Sequence, residues 1–336
     1  MKKIIIAASL TLALFSSCAD NSSTSQSSSS SRVEYVSTTS ETSNDEPYVP
    51  IPDLSGFEVT DPFSYKTDNP EINGDSPTLK SITFYRDGKR ICGKYYLPEG
   101  DGPFPVVVLS SGQTAAYTIY EDEAKAFSES GIACVIFDFT GAVGRKLSDG
   151  ELTESSVFTE VQDLNAILDS LSELPKADTN NVFLWGHSLG GLVSTYTGCN
   201  RPDDIKGMIL LEPSFTYPDF TRYNNPDLSQ VPDVINAPKL YNTLVGKQFV
   251  IDMCSLDIMK EMEKCDKDVL IILGNAGEKK SSYPALGYTY PEAFEMAGQR
   301  FTSSETITVE GADHLFQGEY GKTAVEKSIG FIKKHL

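Results

Sequence analysis

The sequence predicts an α/β fold built on a mostly parallel, doubly wound sheet. Short apolar runs alternate with segments of helical spacing along most of the chain, and a predicted hairpin precedes them. Strands that alternate with helices pair in parallel, because each helix carries the chain back across the sheet. Residues 79–336 are long enough for a single large domain with a buried core.

The elements follow from local patterns. Residues 81–86 and 90–97 are predicted strands joined at Asp87-Gly88, a dipeptide typical of tight turns. Further strands are predicted at residues 106–109, 132–137, 182–185, 208–211, 269–273 and 306–309. Helices are predicted at residues 120–130, 157–171 and 322–334, the second with apolar residues at i, i+3 and i+4.

The first 18 residues are typical of a lipoprotein signal peptide. Lys2 and Lys3 precede a short apolar stretch, and two small residues precede Cys18. The apolar stretch is too short for an ordinary membrane span. This ending resembles a bacterial lipobox, with Phe15 where Leu is usual, so Cys18 is the candidate lipidation site. The alternative is a cleaved signal peptide and a secreted protein.

Residues 19–52 are rich in serine and predict a disordered linker, since they cannot bury enough apolar surface to fold. Residues 53–78 are expected to be either an ordered lead-in to the domain or a continuation of the linker. The net charge of −19 repels nucleic acid, so no nucleic-acid partner is expected. Five cysteines follow Cys18 without a C-x-x-C motif, which gives zinc and thioredoxin-like sites no support. The oligomeric state is left open.

The strongest functional signal is Gly186-His187-Ser188-Leu189-Gly190. It follows the apolar run 182–185 and opens a run of small residues, so a strand, a sharp turn and a helix start meet at Ser188. G-x-S-x-G in that setting is typical of a nucleophile elbow, and the glycines leave room for a strained turn. We interpret Ser188 as the nucleophile.

A serine hydroxyl needs a base to take its proton, and the chain has three histidines. His187 is fixed within the turn and is expected to pack or orient. His335 is next to the last residue and is expected to be solvated. His314 follows the last predicted strand, at the carboxyl edge of the sheet, and is therefore the candidate base.

Several motifs in this order resemble one superfamily. They are Phe137-Asp138-Phe139-Thr140-Gly141, Ser148-Asp149-Gly150-Glu151, the Ser188 elbow, Leu244-Val245-Gly246-Lys247 and Gly311-Ala312-Asp313-His314. With the element order, they resemble the α/β-hydrolase superfamily over nearly all of residues 79–336. Within it, the chain is most similar to the bacterial cinnamoyl/feruloyl-esterase-like serine hydrolases. The resemblance implies a Ser-His-acid triad and neither a metal nor an organic cofactor.

The resemblance leaves the triad acid open between two glutamates. The group usually has an aspartate at the position of Gly277, and Glu278 follows one residue later. Other hydrolases of this fold keep the acid after the preceding strand, where Glu212 stands. A carboxylate at the buried end of a strand needs a partner, which Nδ1 of His314 would supply. We prefer Glu212 and keep Glu278, in a charged loop, as the alternative.

The resemblance also implies an oxyanion hole of two backbone N–H groups. One would come from Leu189 and the other from Gln113, in Ser111-Gly112-Gln113, where the group usually has His-Gly-x. Residues 213–266 are expected to form a small cap after the sixth strand. Its aromatic residues would line an acyl or aryl pocket or form the cap's own core: Phe215, Tyr217, Phe220, Tyr223, Tyr241 and Phe249.

The expected protein is an exported, lipid-anchored serine esterase that acts on a small-molecule ester. The lipid anchor is its expected contact with the membrane. The resemblance alone suggests aryl or short acyl esters of plant carbohydrate. A peptidase or acyltransferase of the same fold is an alternative within enzymes. A non-catalytic binding lipoprotein is an alternative outside them, which Gly277 keeps open.

Overall fold

The fold is built on a ten-stranded sheet, and most of the helices pack against it. The computed structural model describes residues 33–36 and 49–336, apart from residues 75, 144–146, 238–242 and 278–285. The strands are β1 Val33–Val36, β2 Glu71–Asn73, β3 Leu79–Arg86, β4 Lys89–Tyr96, β5 Phe104–Ser110, β6 Ala133–Phe137, β7 Ala177–His187, β8 Gly207–Leu211, β9 Val234–Ala237, β10 Thr243–Gly246, β11 Asp268–Gly274 and β12 Ser303–Val309. The helices are α1 Glu121–Glu129, α2 Val157–Ser170, α3 Leu189–Asn200, α4 Tyr217–Asn224, α5 Lys247–Ser255, α6 Ile258–Met262, α7 Tyr290–Arg300 and α8 Glu319–Lys334.

The strand order is β1-β12-β11-β8-β7-β5-β6-β4-β3-β2. The six strands from β12 to β6 are parallel. The strands at both edges are antiparallel. The predicted doubly wound, mostly parallel sheet is therefore confirmed, with antiparallel additions at each side.

Helices cover both faces of this sheet. Alternate residues of β5 point to opposite faces, so Val106 and Val108 join one buried apolar cluster while Val107 and Leu109 join the other. The first cluster includes side chains of α2 and α3, and the second those of α1 and α8. Strands buried on both faces explain why these runs are apolar at successive positions.

The predicted hairpin of β3 and β4 turns where the sequence indicated. Asp87 and Gly88 have φ values of 51° and 75°. Positive φ at both central residues matches the type I′ turn, whose twist suits two antiparallel strands. The turn sets the register that places Arg86 opposite Lys89.

Arg86 extends from the end of β3 into a buried polar network with α2. Its Nε atom lies 2.5 Å from Oδ1 of Asp163, and its Nη2 atom donates to Thr140 Oγ1 at 2.8 Å. The other oxygen of Asp163 accepts from the backbone N–H and the hydroxyl of Thr140. Arg86 is 5% exposed and Asp163 is fully buried, so this pair ties the hairpin to α2 in the interior.

The segment expected as a lead-in packs on both α2 and the cap. Side chains of α2 donate to its carbonyl groups, from Gln162 to Asp61 and from Asn165 to Pro62. Its backbone N–H at Thr60 donates to Asp252 of α5. The segment also contributes β2 to the sheet. It is thus part of the folded unit that was expected to begin at residue 79.

The cap consists of α4, the β9–β10 hairpin, α5 and α6. Its own apolar cluster contains Leu228, Val231, Ile235, Val250, Ile251 and Cys254, and lead-in residues Leu54, Phe57 and Val59 pack against it. The lead-in therefore completes the core of the cap.

The expected N-terminal linker contains β1, whose backbone pairs antiparallel with β12. The expected signal peptide, including Cys18, lies outside the described residues. Within the described ranges, no helix has both the length and the apolar character needed to cross a bilayer.

Candidate active site

Ser188 lies at the sharp turn between β7 and α3. Its φ of 58° and ψ of −119° are unusual for a residue with a side chain, as a nucleophile elbow requires. A Cβ added at Gly186 would overlap the carbonyl oxygen of Gly190, and one added at Gly190 would overlap the carbonyl oxygens of Ser110 and Ser111. Both glycines are therefore needed for the close approach of the turn, as the sequence predicted.

His314 lies on the loop after β12 and faces Glu212, which follows β8 directly. The Nδ1 atom of His314 is 3.5 Å from Oε2 of Glu212. The side chains are 9% and 1% exposed. A buried carboxylate beside the Nδ1 nitrogen is the arrangement that orients a catalytic histidine and stabilises its protonated form.

Glu212 is held by two further donors. Its Oε1 atom accepts from the backbone N–H of Gly274 at 2.7 Å, and its Oε2 atom accepts from the hydroxyl of Tyr290 at 2.5 Å. These bonds offset the cost of burying a carboxylate at the end of a strand. The backbone at Glu212 has a φ of 45°, so the residue is strained in addition to being buried.

The second candidate acid, Glu278, lies outside the described residues. Glu212, the preferred candidate, is the glutamate for which the structure shows a contact with His314. Gly277, at the position where the resemblance implied an aspartate, has a φ of 95°. That conformation favours glycine, which accounts for the residue found there.

The residue before the nucleophile links the elbow to the histidine loop. His187 Nε2 is 2.7 Å from the carbonyl oxygen of His314. The two imidazole rings lie 5.0 Å apart between centroids. His187 was expected to pack or to orient neighbouring groups. In the structure, the group that it contacts is the backbone carbonyl of His314.

The turn after β5 lies against Ser188, where a donor to an oxyanion is needed. A Cβ added at Gly112 would lie 3.2 Å from Cβ and 3.7 Å from Oγ of Ser188. Gln113 follows in this turn, and its side-chain Oε1 accepts from the hydroxyl of Tyr217 at 3.2 Å. Leu189 is the first residue of α3. Both predicted donor residues therefore flank the nucleophile.

Ser214 is a site residue that the sequence analysis missed. Its Oγ atom lies 3.3 Å from Oγ of Ser188, and its backbone N–H donates to the Ser188 carbonyl at 2.9 Å. It stands two residues after Glu212 in the segment that leaves β8. Its position two residues after a candidate acid is the sequence feature that could have identified Ser214 as a site residue.

Tyr290 was missed for a different reason. Helix α7 begins with Thr289 and Glu292 in a capping box and Pro291 in its first turn. This pattern predicts a helix start and was readable in the sequence. The contact from Tyr290 to Glu212 depends on the packing of α7 across the sheet, which no local pattern indicates.

The cap aromatics divide between core and surface. Phe215, Tyr217 and Phe249 are 1–3% exposed, and the rings of Tyr217 and Phe249 pack at a tilt of 55° with centroids 5.8 Å apart. Tyr223 is 51% exposed. Tyr241 lies outside the described residues. Of this set, Tyr217 bridges the cap to Gln113 beside the nucleophile.

A buried carboxyl group lies behind the cap, at Glu160 on α2. Burial, with the nearby Asp163 charge as a second cause, raises the pKa of Glu160 to about 8. Its Oε1 atom has a long contact of 3.5 Å with the Ser155 hydroxyl. Burial thus favours the protonated, neutral form of this carboxyl group.

No group of three or more metal-ligating side chains that could hold an ion occurs within the described ranges. The groups described at the site are a serine in a strained turn, a histidine beside a buried carboxylate, and the backbone turn that lies against the serine. A site built on this fold defines a serine hydrolase of the α/β-hydrolase class.

The chain belongs to the family described as "Serine aminopeptidase, S33", whose model matches residues 101–274. The matched part contains Gln113, Ser188 and Glu212. The recognition of an α/β-hydrolase from sequence motifs is thereby confirmed.

Curated relatives and solved structures agree with this class. The chain is 30% identical over 134 residues to Esterase FrsA of Klebsiella pneumoniae (strain 342), a match that covers 38% of this chain and 29% of that protein. The match thus spans less than a third of the relative's length. Est1E from Butyrivibrio proteoclasticus, solved with ferulic acid bound, has a TM-score of 0.63 at 20% identity over 74% of this chain and 96% of its own. An acetyl xylan esterase from Paenibacillus sp. R4 has a TM-score of 0.56 at 15% identity over 81% and 89%.

Proposed function

We propose that this protein is a serine esterase that hydrolyses carboxylic esters through an acyl-enzyme, with Ser188, His314 and Glu212 as its triad. The observation that carries the proposal is the 3.5 Å approach of Glu212 Oε2 to His314 Nδ1 at the carboxyl edge of the sheet that also holds the Ser188 elbow. In such a triad, a buried carboxylate with two donors orients the neighbouring histidine and stabilises its protonated form. Outside a triad, burying this charge would contribute little to stability.

The reaction begins when His314 Nε2 takes the proton of Ser188 Oγ, which attacks the ester carbonyl carbon. The negative oxygen of the tetrahedral intermediate accepts from the backbone N–H groups of Leu189 and Gln113. The intermediate collapses, the carbon–oxygen bond to the alcohol breaks, and the alcohol leaves with the proton from His314. Water then attacks the acyl-enzyme by the same route and releases the acid.

Glu212 contributes by orienting His314 and by stabilising its protonated form. The bonds from Gly274 and Tyr290 hold the carboxylate in place. No step requires a cofactor.

The proposed substrates are aryl or short acyl esters. Two observations support them: the family resemblance and the position of Tyr217, an aromatic residue of the cap whose hydroxyl donates to Gln113 beside Ser188. Est1E with ferulic acid and the acetyl xylan esterase share the fold of this chain. By analogy with the resembling family, esters on plant carbohydrate are the proposed substrates of this chain.

The test is to treat the folded mature chain with a fluorophosphonate probe and with a panel of p-nitrophenyl and hydroxycinnamate esters. Labelling at Ser188 by peptide mass spectrometry, and its loss in Ser188→Ala, are expected together with ester turnover. As a matched control, Ser214→Ala leaves a serine at the elbow and should still be labelled. A folded wild-type chain that is neither labelled nor active would overturn the proposal and favour a non-catalytic binding lipoprotein.

The second candidate is a peptidase, which the family's description as serine aminopeptidase favours. An acyltransferase would use the same acyl-enzyme with an alcohol in place of water. Aminoacyl p-nitroanilides and added alcohol acceptors separate these cases. Faster cleavage of the amide than of the matched ester would favour the peptidase, and transfer to the alcohol the acyltransferase.

For location, we propose export and lipid attachment through Cys18, with the serine-rich segment as a tether. The sequence pattern before Cys18 supports this proposal. Metabolic labelling with an alkyne fatty acid in a bacterial host should mark the wild-type chain and leave Cys18→Ala unlabelled. Release of the unlabelled wild-type chain into the medium would indicate a secreted protein instead.

A further inference from the structure

A chain of buried hydrogen bonds runs from the turn after β5 to the histidine loop. The backbone N–H of Gly112 is directed at the hydroxyl of Tyr120, 3.5 Å away. That hydroxyl lies 2.7 Å from Nδ1 of His187, and Nε2 of His187 lies 2.7 Å from the carbonyl oxygen of His314. This series of hydrogen bonds begins in the loop that supplies an oxyanion donor and ends in the loop that supplies the base.

The carbonyl oxygen of His314, at one end of the series, determines which group donates and which accepts in every bond. A carbonyl oxygen only accepts, so Nε2 of His187 carries a proton and donates to His314. In the neutral ring Nδ1 then accepts, and the hydroxyl of Tyr120 donates to it. The Tyr120 oxygen is left to accept from Gly112. Each group thus has one defined role and the imidazole has one tautomer.

The two side chains are held rigidly. Tyr120 and His187 are 5% and 6% exposed. The Tyr120 ring meets Trp185 edge-on, with centroids 5.9 Å apart, and meets His187 in the same manner at 6.0 Å. A rigid buried bridge can transmit position between the two loops, whereas an exposed pair would exchange its bonds with water.

We propose that Tyr120 and His187 are positioning residues. They hold the turn after β5, which supplies an oxyanion donor, in a fixed position relative to His314. The relay runs from Gly112 N–H through the Tyr120 hydroxyl and the His187 ring to the His314 carbonyl. It rests on the proposed function, because its purpose is to align groups of one reaction. Neither residue touches the substrate, so their loss impairs the alignment of the reacting groups rather than substrate binding.

The test compares Tyr120→Phe with Tyr95→Phe. Tyr95 is also buried, and its hydroxyl donates to the Pro175 carbonyl, remote from the elbow, at 3.2 Å. Tyr120→Phe should lower kcat on p-nitrophenyl acetate by about tenfold, with KM within about twofold of wild type. Tyr95→Phe should change neither value. A loss shared equally by both variants would mark a general packing effect and overturn the proposal.

His187 provides a second pair of variants. His187→Gln keeps a side-chain donor for the His314 carbonyl and should retain more kcat than His187→Leu, which keeps none. Equal kcat in the two variants, or kcat at the wild-type level in His187→Leu, would also overturn the relay.

A spectroscopic measurement tests the relay without reference to activity. Long-range ¹H–¹⁵N spectra of the wild-type chain, with three histidines to assign, should show His187 protonated at Nε2 and unprotonated at Nδ1. The opposite tautomer, or a ring that exchanges freely with water, would overturn the relay even if the variants fail to fold. If the wild-type chain hydrolyses no ester yet shows the expected tautomer, the proposed function fails and the hydrogen-bonded bridge remains.

Discussion

Glu212 Oε2 lies 3.5 Å from His314 Nδ1, although the two residues are about a hundred positions apart and follow strands that are not neighbours. Strand β11 lies between β8 and β12 in the sheet, and the N–H of Gly274 at its end donates to Glu212. The carboxylate therefore reaches past one strand end to the histidine beyond it.

Replacing this carboxylate should abolish most of the turnover. We expect Glu212→Gln to lower kcat by roughly 10³-fold or more, because an amide cannot stabilise the protonated histidine or select its tautomer. Glu278→Gln is the matched control and should stay near wild type. Steady-state kinetics on p-nitrophenyl acetate measure both. Near-normal turnover in Glu212→Gln with a large loss in Glu278→Gln would show that the other glutamate is the acid.

The second prediction concerns the crowding at the elbow. Gly190→Ala places a Cβ against the backbone carbonyls at the end of β5, and should destabilise the fold by about 3 kcal/mol or more. Gly330→Ala is the control, since its added Cβ meets no atom within 4 Å on an exposed turn of α8. It should stabilise the chain by roughly 0.5–1 kcal/mol through helix propensity. Urea unfolding followed by circular dichroism gives both values, and equal stabilities would contradict the close approach.

The third prediction concerns the ion pair of Arg86 with Asp163. Arg86→Met leaves Asp163 buried without its cation and should reduce the free energy of unfolding by about 3–5 kcal/mol. Arg90 pairs with Asp149 at the surface, with the side chains 55% and 35% exposed. Arg90→Met should therefore change stability by less than about 1 kcal/mol. Thermal and chemical unfolding measure the stability of the two variants side by side. Similar losses of stability in both would contradict the expected effect of burial.

The fourth prediction concerns the pH dependence of stability through Glu160. Its pKa is about 8 in the folded chain, against 4.5 for an ordinary glutamate, chiefly because of burial. Between these values the unfolded chain releases the proton and the folded chain keeps it, so the free energy of unfolding falls as pH rises. The contribution is fully present below about pH 4.5 and is lost through pH 8, a difference of roughly 5 kcal/mol at most.

Glu160→Gln removes this titration. The variant should match the wild type near pH 5 and exceed it in stability near pH 9, as measured by urea unfolding at both pH values. Glu173→Gln, at an exposed position, should track the wild type throughout. A difference between Glu160→Gln and wild type that does not vary with pH would contradict the shift.

Local patterns predicted most of the sheet and the sharp turn that carries Ser188. Apolar runs located β5 to β8, β11 and β12 because parallel strands buried on both faces are apolar at each position. Asp87-Gly88 located the hairpin because its φ values exclude most other residues. Ser188 could be recognised because a strained turn leaves a glycine pattern in the chain.

The remaining features depend on tertiary contacts. The choice between Glu212 and Glu278 could not be made locally, because a triad acid is defined by its distance to a histidine. Tyr290 reaches Glu212 only after α7 has packed on the sheet. The segment before residue 79 has few helix or strand signals of its own. Its order comes from side chains of α2 that donate to its carbonyl groups and from Asp252 of the cap, which accepts from the N–H of Thr60.

The packing of that segment determines where the folded unit can be shortened. Arg222 of α4 donates to the carbonyl of Val49, and Phe57 packs against the apolar cluster of the cap. A chain cut at residue 79 would keep every group of the proposed triad and still lose the inner support of the cap. A fragment that keeps these contacts with the cap therefore begins at or before Val49, about thirty residues before β3.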